Sequence, residues 1–170
     1  SPSKIGDDIT VSITDGDINK IKLLQFATKA SDAFVSITDT TITDVARTPN
    51  AVEAVTANNA VVATLGYTKD QKSPKLLQFG FDLETGKLSM TFTEPVAPLT
   101  FKLDSVTLQG AKKLSAMVPQ SKLQLKRGTV EEKDKNIAAS MTITVKLVAE
   151  DVVAIKSDTG MYTSISDTYL

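Results

Sequence analysis

Residues 77–92 read LQFGFDLETGKLSMTF, two runs of alternating apolar and polar residues joined by the turn Glu84–Lys87. Alternation with a period of two places the apolar side chains of each run on one face of a β-strand. A Thr-Gly pair between two such runs is typical of a tight connection. The stretch therefore predicts an antiparallel hairpin, whose apolar rows are Leu77, Phe79, Phe81 and Leu83, and then Leu88, Met90 and Phe92.

The same alternation recurs in short runs along most of the chain. It is present in residues 9–13, 101–108, 122–127 and 143–147, and glycine-containing turns separate several of these runs. Short strands at this spacing are typical of an all-β sandwich. We therefore predict antiparallel sheets that bury alternating Val, Ile, Leu and Phe side chains between them.

Two short helices are predicted between strands. Apolar residues at helical spacing follow Asp17 and Asp151. A carboxylate at the start of a helix accepts one of the free backbone N–H groups of the first turn. We predict that both aspartates are N-caps of short crossover helices.

The two ends of the chain carry copies of one pattern. ITVSITDGDINKIK, residues 9–22, aligns without a gap to ITVKLVAEDVVAIK, residues 143–156, with six identities in fourteen positions. FVSITDTTI, residues 34–42, aligns to YTSISDTYL, residues 162–170, with four identities in nine. The offsets are 134 and 128 residues. The chain therefore holds somewhat more than one repeat.

This repeat predicts two incomplete modules. Residues 1–68 are the expected C-terminal part of a first module, residues 69–75 (KDQKSPK) are the junction, and residues 76–170 are a second module that lacks its last strand. A sandwich without its last strand has an open sheet edge. Three explanations stay open: residues 43–68 of the same chain fill the edge, a neighbouring chain donates them head to tail, or the chain is a piece of a longer array.

The open edge is the predicted interaction site. Residues 43–68 are the expected donor segment, and Met161–Leu170 is the expected acceptor strand. The residues predicted to make the contact are Thr43, Val45, Val52, Val55, Val61 and Val62 on the donor, and Tyr162, Ile165 and Tyr169 on the acceptor.

LLQFGFDLETGKLSMTFTEPV, residues 76–96, resembles the opening hairpin of immunoglobulin-like repeat modules in very large surface proteins. Such modules occur in algae and other, mostly marine, organisms, and their pattern is similar to that of bacterial immunoglobulin-like surface domains. Residues 18–45 resemble the later half of those repeats. Family members often continue with an Asp-x-x-Gly-Asn-Pro turn, whereas residues 44–50 read DVARTPN, without the glycine. The resemblance implies an immunoglobulin-like β-sandwich in an extracellular, array-forming protein with an adhesive or scaffolding role.

Composition excludes several kinds of chemistry. The chain has no His, Cys or Trp. It therefore has no Ser-His-Asp triad, no thiol nucleophile, no disulfide and no His-ligated metal. A net charge of -1 argues against nucleic acid as a partner. No run of about 20 apolar residues predicts membrane insertion, and residues 1–8 lack the pattern of a signal peptide.

Two groups of acids were considered as sites. Asp15 and Asp17 are the candidates for a calcium site, since oxygen-rich loops at module ends bind this ion. Only Asp17 has an acidic counterpart in the repeat, Asp151, and helix capping accounts for that pair without a metal. Glu94 with Asp82 or Glu84 would be the pair for a glycosidase. Nine Phe and Tyr and no Trp leave little material for a sugar-binding cleft, so we expect no enzyme activity and no cofactor.

The expected function is that of a structural or adhesive module which assembles end to end through β-strand edges. Its expected partners are copies of itself or neighbouring repeats. The alternative is a carbohydrate- or mineral-binding module, in which Lys- and Asp-bearing loops hold a polysaccharide.

Overall fold

The computed structural model describes residues 8–64, 66–112 and 121–160. The chain divides into two compact units, Ser1–Lys72 and Ser73–Leu170, and this boundary falls inside the segment predicted as a junction. The described residues are mainly β, with antiparallel sheets and a few short helices.

The first unit contains helix α1 and a short strand pair. Its elements are α1 (Asp15–Leu24), β1 (Phe34–Val35) and β2 (Val61–Val62), with 3-10 helices at Ala30–Asp32 and Ala57–Asn59. The second unit holds the larger sheet. Its elements are β3 (Leu76–Asp82), β4 (Lys87–Val96), β5 (Thr107–Gln109), β6 (Lys122–Gln124), β7 (Gly128–Val130), α2 (Glu132–Lys135), β8 (Ser140–Leu147) and α3 (Ala149–Ser157), with 3-10 helices at Pro98–Thr100 and Leu103–Ser105.

The predicted hairpin is confirmed as β3 and β4. Phe81 lies opposite Leu88, and Asp82 lies opposite Lys87. The Asp82 carboxylate closes the turn, because its Oδ1 accepts the backbone N–H of Glu84 at 2.9 Å and of Thr85 at 3.0 Å. Gly86 completes the turn at φ 64°, a left-handed conformation that costs a glycine little.

Four antiparallel strands form the main sheet in the order β3-β4-β8-β7. One face of this sheet is apolar and the other carries hydroxyl groups, as the alternation predicts. On the polar face, Ser89 lies opposite Thr144 and Thr91 lies opposite Thr142. The two hydroxyl pairs are 3.3 and 3.4 Å apart.

The apolar face of the main sheet packs against a second layer. This layer contains the two-stranded sheet β5–β6, the 3-10 turn at Leu103–Ser105 and helix α3. Between the layers lies the hydrophobic core of the unit, composed of Leu88, Met90, Leu103, Leu108, Leu125, Ile143, Val145, Leu147 and Ile155.

The first unit is built differently. Among its described residues none is fully buried. Strands β1 and β2 pair antiparallel, and isolated bridges at Ile37–Val55 and Thr43–Ala51 extend the pairing toward a turn. Asp44 orders that turn, since its carboxylate accepts the N–H of Asn50 at 2.9 Å. This hydrogen bond closes residues 44–50, the segment that has no glycine where the Asp-x-x-Gly-Asn-Pro turn would have one.

Two local predictions were wrong. Residues 9–13 lie outside any strand, because none of the described residues supplies a neighbouring strand for them. The aspartates are not N-caps: Thr14 caps α1 and Val148 precedes α3, which puts Asp17 and Asp151 in the third helical position. The charged run at residues 131–135 lies in the connection between the antiparallel neighbours β7 and β8, where residues 132–135 form helix α2, because its Glu and Lys residues favour helix.

None of the described helices is long and apolar enough to span a bilayer.

Candidate functional site

The main sheet ends in two edges of different character. At one end, β3 offers seven residues, LLQFGFD, without a Lys, Arg or Pro. Within the described residues β3 pairs only with β4. The register of β3 with β4 shifts between Leu76 and Gln78, and residues 78–82 pair regularly. A regular edge strand without such guarding residues is a template for pairing with another chain.

The opposite edge, β7, is short. Strand β7 has three residues, and buried carboxylates occupy the backbone groups beyond both of its ends. Asp134 accepts the N–H of Thr144 at 2.8 Å. Asp151 accepts the N–H of Lys126 at 2.9 Å. Asp134 therefore binds an N–H of β8 just past the end of β7, and Asp151 holds the loop that precedes β7, so β3 is the longer of the two sheet edges among the described residues.

The predicted donor segment is hydrogen-bonded within its own unit. Residues 43–62 fold back on residues 34–43 as an irregular hairpin, and Val55 exchanges two backbone hydrogen bonds with Ile37, at 2.9 and 3.1 Å. Val45 lies in the connecting turn and is 90% exposed. The remaining predicted donor residues lie along this hairpin: Thr43 opposite Ala51, Val52 bonded to Ile42, Val61 opposite Val35, and Val62 opposite Phe34.

Donation of residues 43–62 to another sheet therefore requires this hairpin to open. The predicted acceptor residues Tyr162, Ile165 and Tyr169 lie outside the described residues. Both halves of that predicted contact stay predictions.

The exposure of an apolar row at residues 9–13 was not predicted from the sequence. Ile9, Val11 and Ile13 are 71%, 78% and 55% exposed. Their repeat counterparts are core residues of the second unit. The alternation predicts that these three side chains share one face. The alignment with core residues of the second unit is the sequence signal that this face could be expected to be covered, whereas among the described residues it is exposed.

The calcium candidates lie in the first turn of α1, with both carboxylates exposed. Asp17 accepts hydrogen bonds from the Lys20 ammonium at 2.9 Å and from the Thr14 hydroxyl at 2.8 Å. These contacts hold the pKa of the Asp17 carboxyl below its ordinary value, and Lys20 is the largest cause. No group of three or more acidic side chains able to hold a metal is present in the described ranges. The local contacts of Asp17 are those of a helix terminus.

The glycosidase candidates are far apart. Asp82 and Glu84 lie at the turn before β4, while Glu94 is buried near the other end of that strand. Seven residues of extended strand separate positions by about 20 Å. Paired glycosidase carboxyls lie roughly 5 to 10 Å apart, so the structure does not bring these acids together.

A shallow groove of about 470 Å³ in the second unit carries a local excess of positive charge. Lys102, Lys126 and Arg127 line it, with Asp104 as the one acid among its lining residues. The anchoring of the Lys126 amide to Asp151 fixes the loop that carries two of these cations. Gly128 follows these cations in the chain. The space beside it is too small for a side chain, because a Cβ there would come within 2.5 Å of Leu103 Cδ2.

Comparison with protein-family models, with curated proteins and with solved structures found no match for this chain.

Proposed function

We propose that this chain is a structural or adhesive module of an extracellular repeat protein. In this proposal, immunoglobulin-like β-sandwich units assemble end to end through their sheet edges, and the partners are copies of the chain or neighbouring repeats. The observation that carries the proposal is the contrast between the seven-residue β3 edge and the three-residue β7 edge. Head-to-tail growth needs two different surfaces that fit each other, and the two unlike edges of this sheet supply two different surfaces.

The two-layer packing of the second unit supports the sandwich part of the proposal. An antiparallel sheet covers its apolar face with a smaller β5–β6 sheet, and its other face carries hydroxyl groups. The internal repeat supports the array part, since one strand–helix pattern occurs in both units.

The test is association over a concentration series, measured by analytical ultracentrifugation with negative-stain imaging. Gly80 lies in the middle of β3, and a side chain there meets no heavy atom within 4 Å. Gly80→Lys adds an edge charge without a clash and is expected to weaken association at least about tenfold. Ser157→Lys, at the exposed end of α3, adds the same charge elsewhere and is the control.

A native chain that stays monomeric at every concentration would contradict the proposal. Equal association of Gly80→Lys and the native chain would contradict the assignment of the edge.

Binding of an acidic polysaccharide is the second candidate function, and the cationic groove favours it. Arg127 and the two lysines present donors suited to carboxylate or sulfate groups. Retention on immobilised alginate, compared with a neutral glucan, tests this candidate. The double variant Lys126→Gln and Arg127→Gln is expected to lose most of the retention, whereas Lys133→Gln, at an exposed position of α2, is not. Retention that is insensitive to the groove variant would refute this candidate.

A further inference from the structure

We infer that residues 9–22 are an interaction surface for a polypeptide segment with the chemistry of residues 76–142. In this inference the partner segment completes a second sheet around residues 9–13 and covers one face of α1. The inference rests on the proposed role as a repeat module and names the partner of its first unit.

The argument starts from the aligned strands. Ile9, Val11 and Ile13 correspond by sequence to Ile143, Val145 and Leu147. In the second unit those three counterparts are 2%, 1% and 4% exposed. Strand β8, which carries them, is flanked by β4 on one side and β7 on the other. Residues 9–13 keep the apolar row of a central strand, and the described part of their unit gives that row no sheet.

The aligned helices show the same contrast. Asp17 and Ile21 correspond to Asp151 and Ile155, which are both 1% exposed. No residue of α1 is buried. Ile155 belongs to the core of the second unit, and Asp151 binds the loop that leads into β7. Among the described residues, residues 9–13 and helix α1 therefore lack the contacts that their aligned counterparts make.

The contacts of β8 and α3 in the second unit indicate which contacts a partner of residues 9–22 would supply. Residues 76–142 supply both strands beside β8 and the apolar layer over it. They also supply a glycine at the hairpin turn, where a Cβ on Gly86 would come within 2.9 Å of Val152 Cγ2. Finally, they supply the backbone N–H groups of Lys126 and Arg127 to Asp151. A partner with this pattern fits residues 9–22 in each respect.

The test adds the partner segment to the intact protein. A second copy of residues 76–142 is fused through a flexible linker in front of the full chain, and amide hydrogen exchange of residues 9–24 is measured. The exchange of residues 10–14 is expected to slow at least about 100-fold relative to the native chain, because sheet pairing protects amides from solvent.

The control extension carries Leu88→Ser and Met90→Ser in the added copy only. It has the same length without the apolar row and is expected to leave residues 10–14 unprotected. Equal protection by both extensions, or no protection by the intact one, overturns the inference. Slower exchange in the added copy alone also overturns it.

A second measurement, thiol labelling, can be made at low protein concentration and with either extension fused to the chain. The chain contains no Cys, so Val11→Cys introduces a unique thiol at a site that is 78% exposed. Thiol labelling is expected to be fast in the native background and to slow at least about tenfold with the intact extension. A labelling rate that is the same in both backgrounds overturns the inference. Because both measurements report on residues 9–24 and not on mass, they are independent of whether the chain forms arrays.

Discussion

Helices α1 and α3 have related sequences and are stabilised in different ways. In α1, the Thr14 hydroxyl oxygen accepts the N–H of Asp17 at 3.2 Å, and Lys20 forms a salt bridge with the Asp17 carboxylate at 2.9 Å. In α3, the equivalents of Thr14 and Lys20 are Val148 and Ala154, which provide neither contact. Helix α1 is stabilised by contacts of its exposed side chains, including a salt bridge from Lys22 to Asp70. Helix α3 is stabilised by two buried residues, Asp151 and Ile155, that contact the unit around it.

This difference shows that two copies of one sequence pattern can lie in different structural environments. The shared residues in the two copies specify a strand face, a helix and one carboxylate. Whether that carboxylate binds a lysine or a buried loop depends on neighbouring elements. Variants at aligned positions measure how much each environment contributes.

The largest difference is expected at the strand, where both copies have isoleucine at the first position. Ile143→Ala removes a buried side chain and is expected to lower the free energy of unfolding of the second unit by about 2 to 5 kcal/mol. Ile9→Ala removes an exposed side chain and is expected to change the free energy of unfolding of the first unit by less than about 0.5 kcal/mol. Urea unfolding followed by circular dichroism and amide NMR measures both. Equal losses would mean that the two strands share one environment in solution.

The next difference is expected at the shared aspartate. Asp151→Ala leaves the N–H groups of Lys126 and Arg127 without their carboxylate, and is expected to cost about 1.5 to 3 kcal/mol. Asp17→Ala breaks only exposed contacts within one helical turn. It is expected to reduce the helicity of α1 and to leave the second unit unchanged, as judged by residue-specific NMR shifts. A second unit that is insensitive to Asp151→Ala would contradict the buried role.

Much of the second unit was predictable because its determinants are local. Alternation around the Thr85-Gly86 turn is enough to place β3 and β4, and it selects the correct face for Leu88 and Met90. The position of α3 also follows from sequence spacing. In these stretches the hydrophobic period, the turn residues and the final packing agree.

The wrong predictions concern residues whose structure depends on neighbouring elements rather than on the local sequence. Alternation in residues 9–13 specifies a face and does not show whether adjoining strands exist. At α1, the Thr14-x-x-Asp17 spacing is that of a capping pair, and this signal identifies the cap better than the aspartate alone. Asp134 was hidden in a charged run, because no local pattern distinguishes a solvated carboxylate from one that caps a sheet edge.

A smaller effect is expected where α3 meets the hairpin. Gly86→Ala forces a non-glycine residue to φ 64° and brings its Cβ within 2.9 Å of Val152 Cγ2. We expect a loss of about 1 to 2 kcal/mol. Val152→Ala in the same chain should recover part of it, which a double-mutant cycle detects. Gly80→Ala has open space around its Cβ and is the control. An unchanged stability for Gly86→Ala would place α3 away from the turn.

The smallest effect is expected from acid, and it separates the two carboxylate environments. The hydrogen bond from Lys20 lowers the pKa of Asp17 in the folded helix below its ordinary value of 3.8. Since the folded pKa is the lower one, this contact stabilises α1 fully above the ordinary pKa and is lost as the pH falls through the folded value. An NMR titration of residues 14–20 should show helicity decreasing below about pH 4. Lys20→Gln removes the main cause and should raise the midpoint for Asp17. An identical midpoint in the native chain and in Lys20→Gln would mean that Lys20 does not hold the carboxylate, and the Thr14 hydroxyl would then be the contact that distinguishes Asp17 from Asp151.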